Sequence, residues 1–310
     1  MPDVSADPLN WRMPLGTWLC LFALVTVLLC GTTTSLAETR TPSVSGNYND
    51  VVREAAPGLP GYTVYRPLDL ESGADNRFPV VMWSNGGCAE SNDSHLYFLT
   101  QVAAHGFVIV AHGAPDAHSS PGGIAQDNRL VKAIDWVSSP PANGGPTYFD
   151  KLDTRKVATA GHSCGGIDAI RAGINDDRVK SVVSLNSSCY ANNSDGGRSG
   201  PLAVCRDDLD RLGGPILFVT GGPTDIAHDN SVANFNLVVE VPTVLAFHEA
   251  AGHSGFFGSA PRNVQLEAVQ AMVEWLDGTL NGNADSLAYF FGADPRLGQV
   301  EGWTVESAGY

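Results

Sequence analysis

Charge is scarce in this sequence, and positive charge is scarcer still. Of 310 residues 16% are charged, with 18 Lys and Arg against 33 Asp and Glu, for a formal net charge of −15. No cluster of basic residues interrupts that balance. A phosphate backbone or an anionic lipid surface therefore meets repulsion, which excludes nucleic acid as a partner. With 43% hydrophobic residues, most of the chain has enough apolar surface to fold. Long apolar runs are few: residues 15–30 form one of 16, preceded by Arg12 and followed by Ser35-Leu36-Ala37. That pattern predicts a signal peptide over 1–37 and a secreted protein without membrane contact once the leader is cleaved. The run is shorter than the 18 or more residues of a typical spanning helix, and a membrane anchor through 15–30 is the alternative reading. Cysteines number six. Cys20 and Cys30 leave with the leader, and the remaining four, Cys88, Cys164, Cys189 and Cys205, are an even set that predicts two disulfides in an exported chain. His95, His105, His112 and His118 show no metal-ligand spacing with acidic residues or cysteines, so neither metal nor cofactor is expected.

Residues 38–60, rich in Thr, Ser, Pro, Gly and Asn, read as an extended segment ahead of one domain over 61–310. Within that domain short apolar runs at 62–65, 80–83, 107–111, 157–160, 182–185, 216–219 and 244–247 read as strands. Helical spacing appears at 96–104, 126–137, 167–174 and 264–280. Strand alternating with helix predicts an α/β fold with a mostly parallel central sheet and helices on both faces. The Gly-, Asn- and Asp-rich loop over 189–214 leaves no room for a large cap domain. The aromatic tail around Tyr289-Phe290-Phe291 and Trp303 is predicted to dock on the domain.

Gly161-His162-Ser163-Cys164-Gly165 follows one predicted strand and precedes a predicted helix. A sharp turn in that context lifts a serine hydroxyl out of the sheet, and the helix N-terminus beneath favours negative charge at the reacting oxygen. The serine needs a base and the base an orienting acid, which in such a fold follow in the order Ser, Asp, His. The loop after 216–219 carries Asp225 and the loop after 244–247 carries His253. Consecutive parallel strands open their C-terminal ends on one edge, which brings both loops to Ser163. His248 still lies within a strand, His162 is expected to pack or donate a hydrogen bond, and His228, Asp229 and Asp195 read as polar loop or helix residues. Asp229 is the main rival for the acid.

An acyl-transfer oxyanion needs two N–H donors. Cys164 supplies one, and Gly87 or Cys88, in the loop Ser84-Asn85-Gly86-Gly87-Cys88, supplies the other. Donors converging on one oxygen bring their α-carbons close, within the roughly 4.4–6.8 Å that a disulfide spans. The expected bonds are therefore Cys88–Cys164, pinning the oxyanion loop to the nucleophile turn, and Cys189–Cys205, a closure worth about 3 kcal/mol in a chain-entropy account. Asn92, Asn186 and Asn192 match the glycosylation acceptor pattern.

Four stretches together, Val81-Met82-Trp83-Ser84-Asn85-Gly86-Gly87-Cys88, Gly161-His162-Ser163-Cys164-Gly165-Gly166, Thr220-Gly221-Gly222-Pro223-Thr224-Asp225 and Gly252-His253-Ser254-Gly255, resemble a group of secreted α/β-hydrolases. That group is related to the dienelactone hydrolase, chlorophyllase and polyethylene-terephthalate hydrolase branch. The resemblance implies ester hydrolysis on Ser163, Asp225 and His253. Polyester hydrolases of that branch place one aromatic residue in the oxyanion loop and another beside the site; here Gly87 stands in the loop and Tyr190 is the candidate substrate contact. The expectation is a monomeric serine esterase acting on a small-molecule or polymeric ester through an acyl-enzyme. An amidase or thioesterase on the same triad, and a binding protein without catalysis, are the alternatives.

Overall fold

The computed structural model describes residues 39–42, 46–72, 77–118, 129–139, 145–148, 150–191 and 205–309. The predicted leader, the apolar run at 15–30, Asn192, Asp195 and most of the loop between Cys189 and Cys205 lie outside them. Residues 36–310 form one compact unit.

Ten strands build one sheet. In chain order they are β1 (Thr39–Pro42), β2 (Asp50–Ala55), β3 (Tyr62–Pro67), β4 (Phe78–Ser84), β5 (Val108–His112), β6 (Leu152–His162), β7 (Val179–Leu185), β8 (Ile216–Thr220), β9 (Thr243–His248) and β10 (Trp303–Ala308). The spatial order is β1-β2-β3-β5-β4-β6-β7-β8-β9-β10. From β5 through β9 every neighbouring pair is parallel. The strands at the ends pair antiparallel, β1 with β2, β2 with β3, β3 with β5, and β10 with β9.

Why these runs are strands follows from burial on both sides. Along β4, Val80 and Met82 face one core while Val81 and Trp83 face the other. Period-two alternation among residues that are all apolar suits a strand covered on both faces. One face is covered by α1 (Leu96–Ala103) and α6 (Arg262–Asn281), which contribute Phe98, Leu99, Met272 and Trp275. The other is covered by α2 (Arg129–Ser138) and α4 (Cys164–Asn175), through Leu130, Ile134, Ile167 and Ile170. Two single-turn helices, α3 (Gly145–Tyr148) and α7 (Ala284–Leu287), and the two-turn α5 (His228–Phe235) complete the set among the described residues.

Three strands go beyond the sequence reading. The segment over 38–60 contributes β1 and β2, with Val51 and Val52 buried, and the tail docks as β10 with Phe256 stacked on Trp303 at 5.7 Å. Asn92 and Asn186 are fully buried and hydrogen bonded inside the fold, which removes both as glycan acceptors. Among the described residues no helix is long and apolar enough to cross a membrane.

The order β5-β4-β6 contains the feature that positions the site. From β4 the chain moves outward to β5, then crosses back to β6 on the other side. Loops leaving the C-terminal ends of β4 and β6 therefore diverge, and a crevice opens between them at the topological switch point. The loop after β4 carries Gly87 and Cys88, and the turn after β6 carries Ser163.

Candidate active site

β6 ends at His162 and α4 begins at Cys164, leaving Ser163 alone at the turn with φ 52° and ψ −118°. Its backbone is held from three directions: its N–H donates to Leu185 O at 2.9 Å, its carbonyl accepts Gly166 N–H at 2.9 Å, and the Ser187 hydroxyl donates to the same carbonyl. A Cβ on Gly165 would stand 2.1 Å from the Ser84 carbonyl oxygen, so only glycine lets α4 start this close to β4. Among the described residues four non-glycines have positive φ, and three of them, Cys88, Ser163 and Asn186, belong to this rim. Strain of that kind is retained where the surrounding contacts over-determine it.

Ser163 Oγ lies 3.0 Å from His253 Nε2, and His253 Nδ1 lies 2.6 Å from Asp225 Oδ1. Asp225 is buried and takes four N–H donors. Oδ1 accepts from His253 and from Ala227 N–H at 3.0 Å, and Oδ2 from Gly221 N–H at 3.0 Å and from Asn186 Nδ2 at 2.8 Å. Burial alone would push this carboxyl up, but the bonds from His253, Ala227, Gly221 and Asn186 outweigh it and hold it at about 2. An ionised acid facing Nδ1 keeps the histidine proton on that nitrogen and leaves Nε2 free to accept the serine proton. Gly252 N–H donates to Gly221 O at 2.9 Å, tying the acid loop to the histidine loop.

The oxyanion candidates sit around this centre. Cys164 is the first residue of α4, where an N–H has no carbonyl one turn back. Gly87, φ 63°, and Cys88, φ 52°, turn the loop after β4. Cys88 and Cys164 are paired at disulfide distance, with 5.3 Å between α-carbons, and so are Cys189 and Cys205 at 5.2 Å. Buried Arg129 holds the loop after β4 from the far side, with Nη1 donating to Cys88 O at 3.2 Å and Nη2 to Glu90 Oε1 at 3.2 Å. Asn85 braces it from within, donating to Ala89 O and His112 O while accepting from Trp83 Nε1.

The rival histidines are occupied elsewhere. His248 ends β9 with its ring 5.6 Å from Trp303, and His228 lies buried in α5 against Thr220 Oγ1 at 2.9 Å. Asp229 falls in the first turn of α5. Tyr190 is half-buried beside Cys189 and packs against the core under α2 and α4. A cavity of about 290 Å³ opens beside the loop after β4, lined by Gly86, His95, His162, Ser254 and Phe257. No group of three or more His, Cys, Asp or Glu among the described residues could hold a metal. Asn186 and Arg129 escaped the sequence reading. The one available signal for Asn186 was its place just past β7, on the same edge as the other loops.

His162 is buried, and burial holds its imidazole down to about 4 although the bond to the His253 carbonyl favours the proton. An unfolded chain protonates the same ring near 6.5. Between those values the unfolded state binds a proton that the folded state refuses. Stability is therefore complete above about pH 6.5 and falls toward about pH 4, by about 3 kcal/mol from this ring. His95, also lowered by burial and by the neighbouring His162, adds in the same direction. Urea denaturation at about pH 7 and about pH 4.5 measures the loss, and His162→Gln removes the His162 share of it.

The family model for PET hydrolase-like proteins matches residues 31–195, just over half of the chain. That span contains the loop after β4, Ser163 and Asn186, while Asp225 and His253 lie beyond it. Among characterised proteins, cutinase est1 of Thermobifida alba is 24% identical over 180 residues, 58% of this chain and 57% of that protein. Cutinase 2 of Thermobifida cellulosilytica is 24% identical over 200 residues, 63% of this chain and 71% of its own length. Hydrolase ffsE of Aspergillus flavipes is 28% identical over 140 residues, 41% of this chain. The match thus spans just over half of cutinase est1 and 29% of hydrolase ffsE. With that family match over a parallel, doubly covered sheet, the chain belongs to the PET hydrolase-like family of α/β-hydrolases.

Proposed function

We propose that the protein is a secreted serine esterase that cleaves carboxylic esters by acyl transfer to water. The observation that carries this reading is the unbroken sequence of contacts from Ser163 Oγ to His253 Nε2 at 3.0 Å and from His253 Nδ1 to Asp225 at 2.6 Å. His253 takes the Ser163 proton as the oxygen attacks the ester carbonyl. The tetrahedral oxyanion is held by the N–H of Cys164 and that of Gly87 or Cys88. Collapse expels the alcohol, which receives the proton from His253, and a water molecule repeats the sequence to release the acid. Cys88–Cys164 and Cys189–Cys205 suit an oxidising compartment, which supports export. Ester chemistry is favoured over amide or thioester chemistry by the cutinase relatives.

A fluorophosphonate probe tests the reading directly. The folded protein is expected to be labelled on Ser163, and a panel of matched p-nitrophenyl esters, anilides and thioesters is expected to turn over fastest as esters. Absence of labelling in folded protein would refute the esterase reading and support a binding protein on a hydrolase scaffold instead.

A further inference from the structure

Beside the imidazole of His253 lies a second pair of histidines that the triad does not use. His162 ends β6 immediately before the nucleophile, and His95 sits 67 positions earlier, just ahead of α1. Both are buried, their ring centroids are 5.2 Å apart, and Phe257 packs against each, at 4.8 Å and 4.4 Å. Their hydrogen bonds permit one neutral arrangement. A carbonyl only accepts, so the 3.0 Å contact between His162 Nε2 and the His253 carbonyl oxygen fixes the His162 proton on Nε2. Nδ1 of His162 is then a bare acceptor, and its 3.1 Å contact with His95 Nε2 puts a proton on that nitrogen. Nδ1 of His95 in turn accepts the Ser94 hydroxyl at 3.1 Å. Donation therefore runs one way, from Ser94 through His95 and His162 into the main chain of His253. Burial of both rings suits this uncharged arrangement, and a second proton on His162 would set its Nδ1–H against the Nε2–H of His95.

The preceding peptide of the same loop is held in a matching way. Asn186 Nδ2 donates to the Gly252 carbonyl at 3.1 Å, so the carbonyls of residues 252 and 253 each receive a side-chain donor. Each donor is also tied to another member of the triad. Asn186 binds the Asp225 carboxylate, and His162 adjoins Ser163 in the chain. The oxyanion loop rests on the same ring, because a Cβ on Gly86 would stand 2.3 Å from His162 Nδ1. We propose that His162, oriented by His95, is a positioning residue that fixes the main chain of the general base relative to the nucleophile. This role rests on the serine-esterase reading above. A displacement of about 1 Å in such a group costs on the order of 10²-fold in rate.

The test uses the full-length protein with p-nitrophenyl acetate and a fluorophosphonate. His162→Phe keeps a ring against Phe257 but removes the donor, and is expected to lower kcat about 10²-fold with KM within about threefold of wild type. His162→Gln restores an amide N–H near the lost position and is expected to recover about tenfold of that. His95→Gln retains a donor toward His162 and should stay within about threefold of wild type, whereas His95→Phe should fall about tenfold. Independently of turnover, histidine-selective 15N spectra of the wild type are expected to show His95 and His162 as neutral Nε2–H tautomers. Wild-type protein that labels normally, with His162→Phe labelling at the same rate, overturns the positioning role and leaves the esterase reading intact. An Nδ1–H tautomer at either ring overturns it as well, even if His162→Phe does not fold. Failure of the wild type itself to label falls on the esterase reading instead.

Discussion

Ser163→Ala is expected to lower kcat on p-nitrophenyl esters by about 10⁶-fold, leaving only the catalysis that binding and oxyanion stabilisation supply. The reason is local. The Ser163 hydroxyl lies at 3.0 Å from His253 Nε2 while the residue's backbone is pinned by Leu185, Gly166 and Ser187. Asp225→Asn is expected to cost about 10⁴-fold, because the amide removes the charge that keeps the His253 proton on Nδ1. It carries a structural cost as well. Each carboxylate oxygen accepts two N–H donors, and an amide offers one oxygen, so two donors would face an NH₂ group. Steady-state kinetics, with circular dichroism to confirm folding, separates the two effects. A Ser163→Ala protein that retains wild-type turnover would refute the catalytic assignment.

Opening the Cys88–Cys164 bond is the second large effect expected. The bond joins the two elements that carry the proposed oxyanion donors, and it closes a loop of 76 positions. Chain entropy assigns such a closure about 4.5 kcal/mol, against about 3 kcal/mol for the 16-position loop closed by Cys189–Cys205. The kinetic consequence distinguishes them. Without Cys88–Cys164 the loop keeps its Arg129 and Asn85 bonds but loses its link to α4, so the second donor drifts and kcat falls by about 10²–10³-fold. The double substitution Cys88→Ser, Cys164→Ser is expected to show that fall together with a lower Tm. Cys189→Ser with Cys205→Ser is expected to lower Tm alone. Equal kcat in both double variants would reduce the first bond to a structural staple.

Much of this molecule was legible in the sequence because the information was local. Each of the seven predicted strands is a short apolar run bounded by turn residues, and double-sided burial leaves such a run little alternative. β1, β2 and β10 escaped for the opposite reason. Residues 50–55 gain their buried face only when β3 lies beside them, and Trp303–Ala308 is exposed along most of its length, so neither carries a sustained period of its own. The rim divides in the same way. Ser163 and His253 announce themselves through glycine-flanked turns after predicted strands, and Asp225 through its loop position. Asn186 did not, because the pattern Asn-Ser-Ser advertises a surface glycan, whereas its amide reaches Asp225 across 39 positions. His95 has no metal-ligand spacing, and nothing near it in the chain points to His162, 67 positions on.

The last strand has a consequence for solubility at high concentration. β10 occupies the outer margin of the ten-stranded sheet, with Trp303 tucked inward and Thr304, Glu306, Ser307 and Ala308 facing water. A margin that hydrophilic, with an acidic group on it, gives a neighbouring molecule a poor template for adding a strand of its own. Its outward amides stay open, as on any terminal strand, but the side chains around them discourage a second molecule from pairing there.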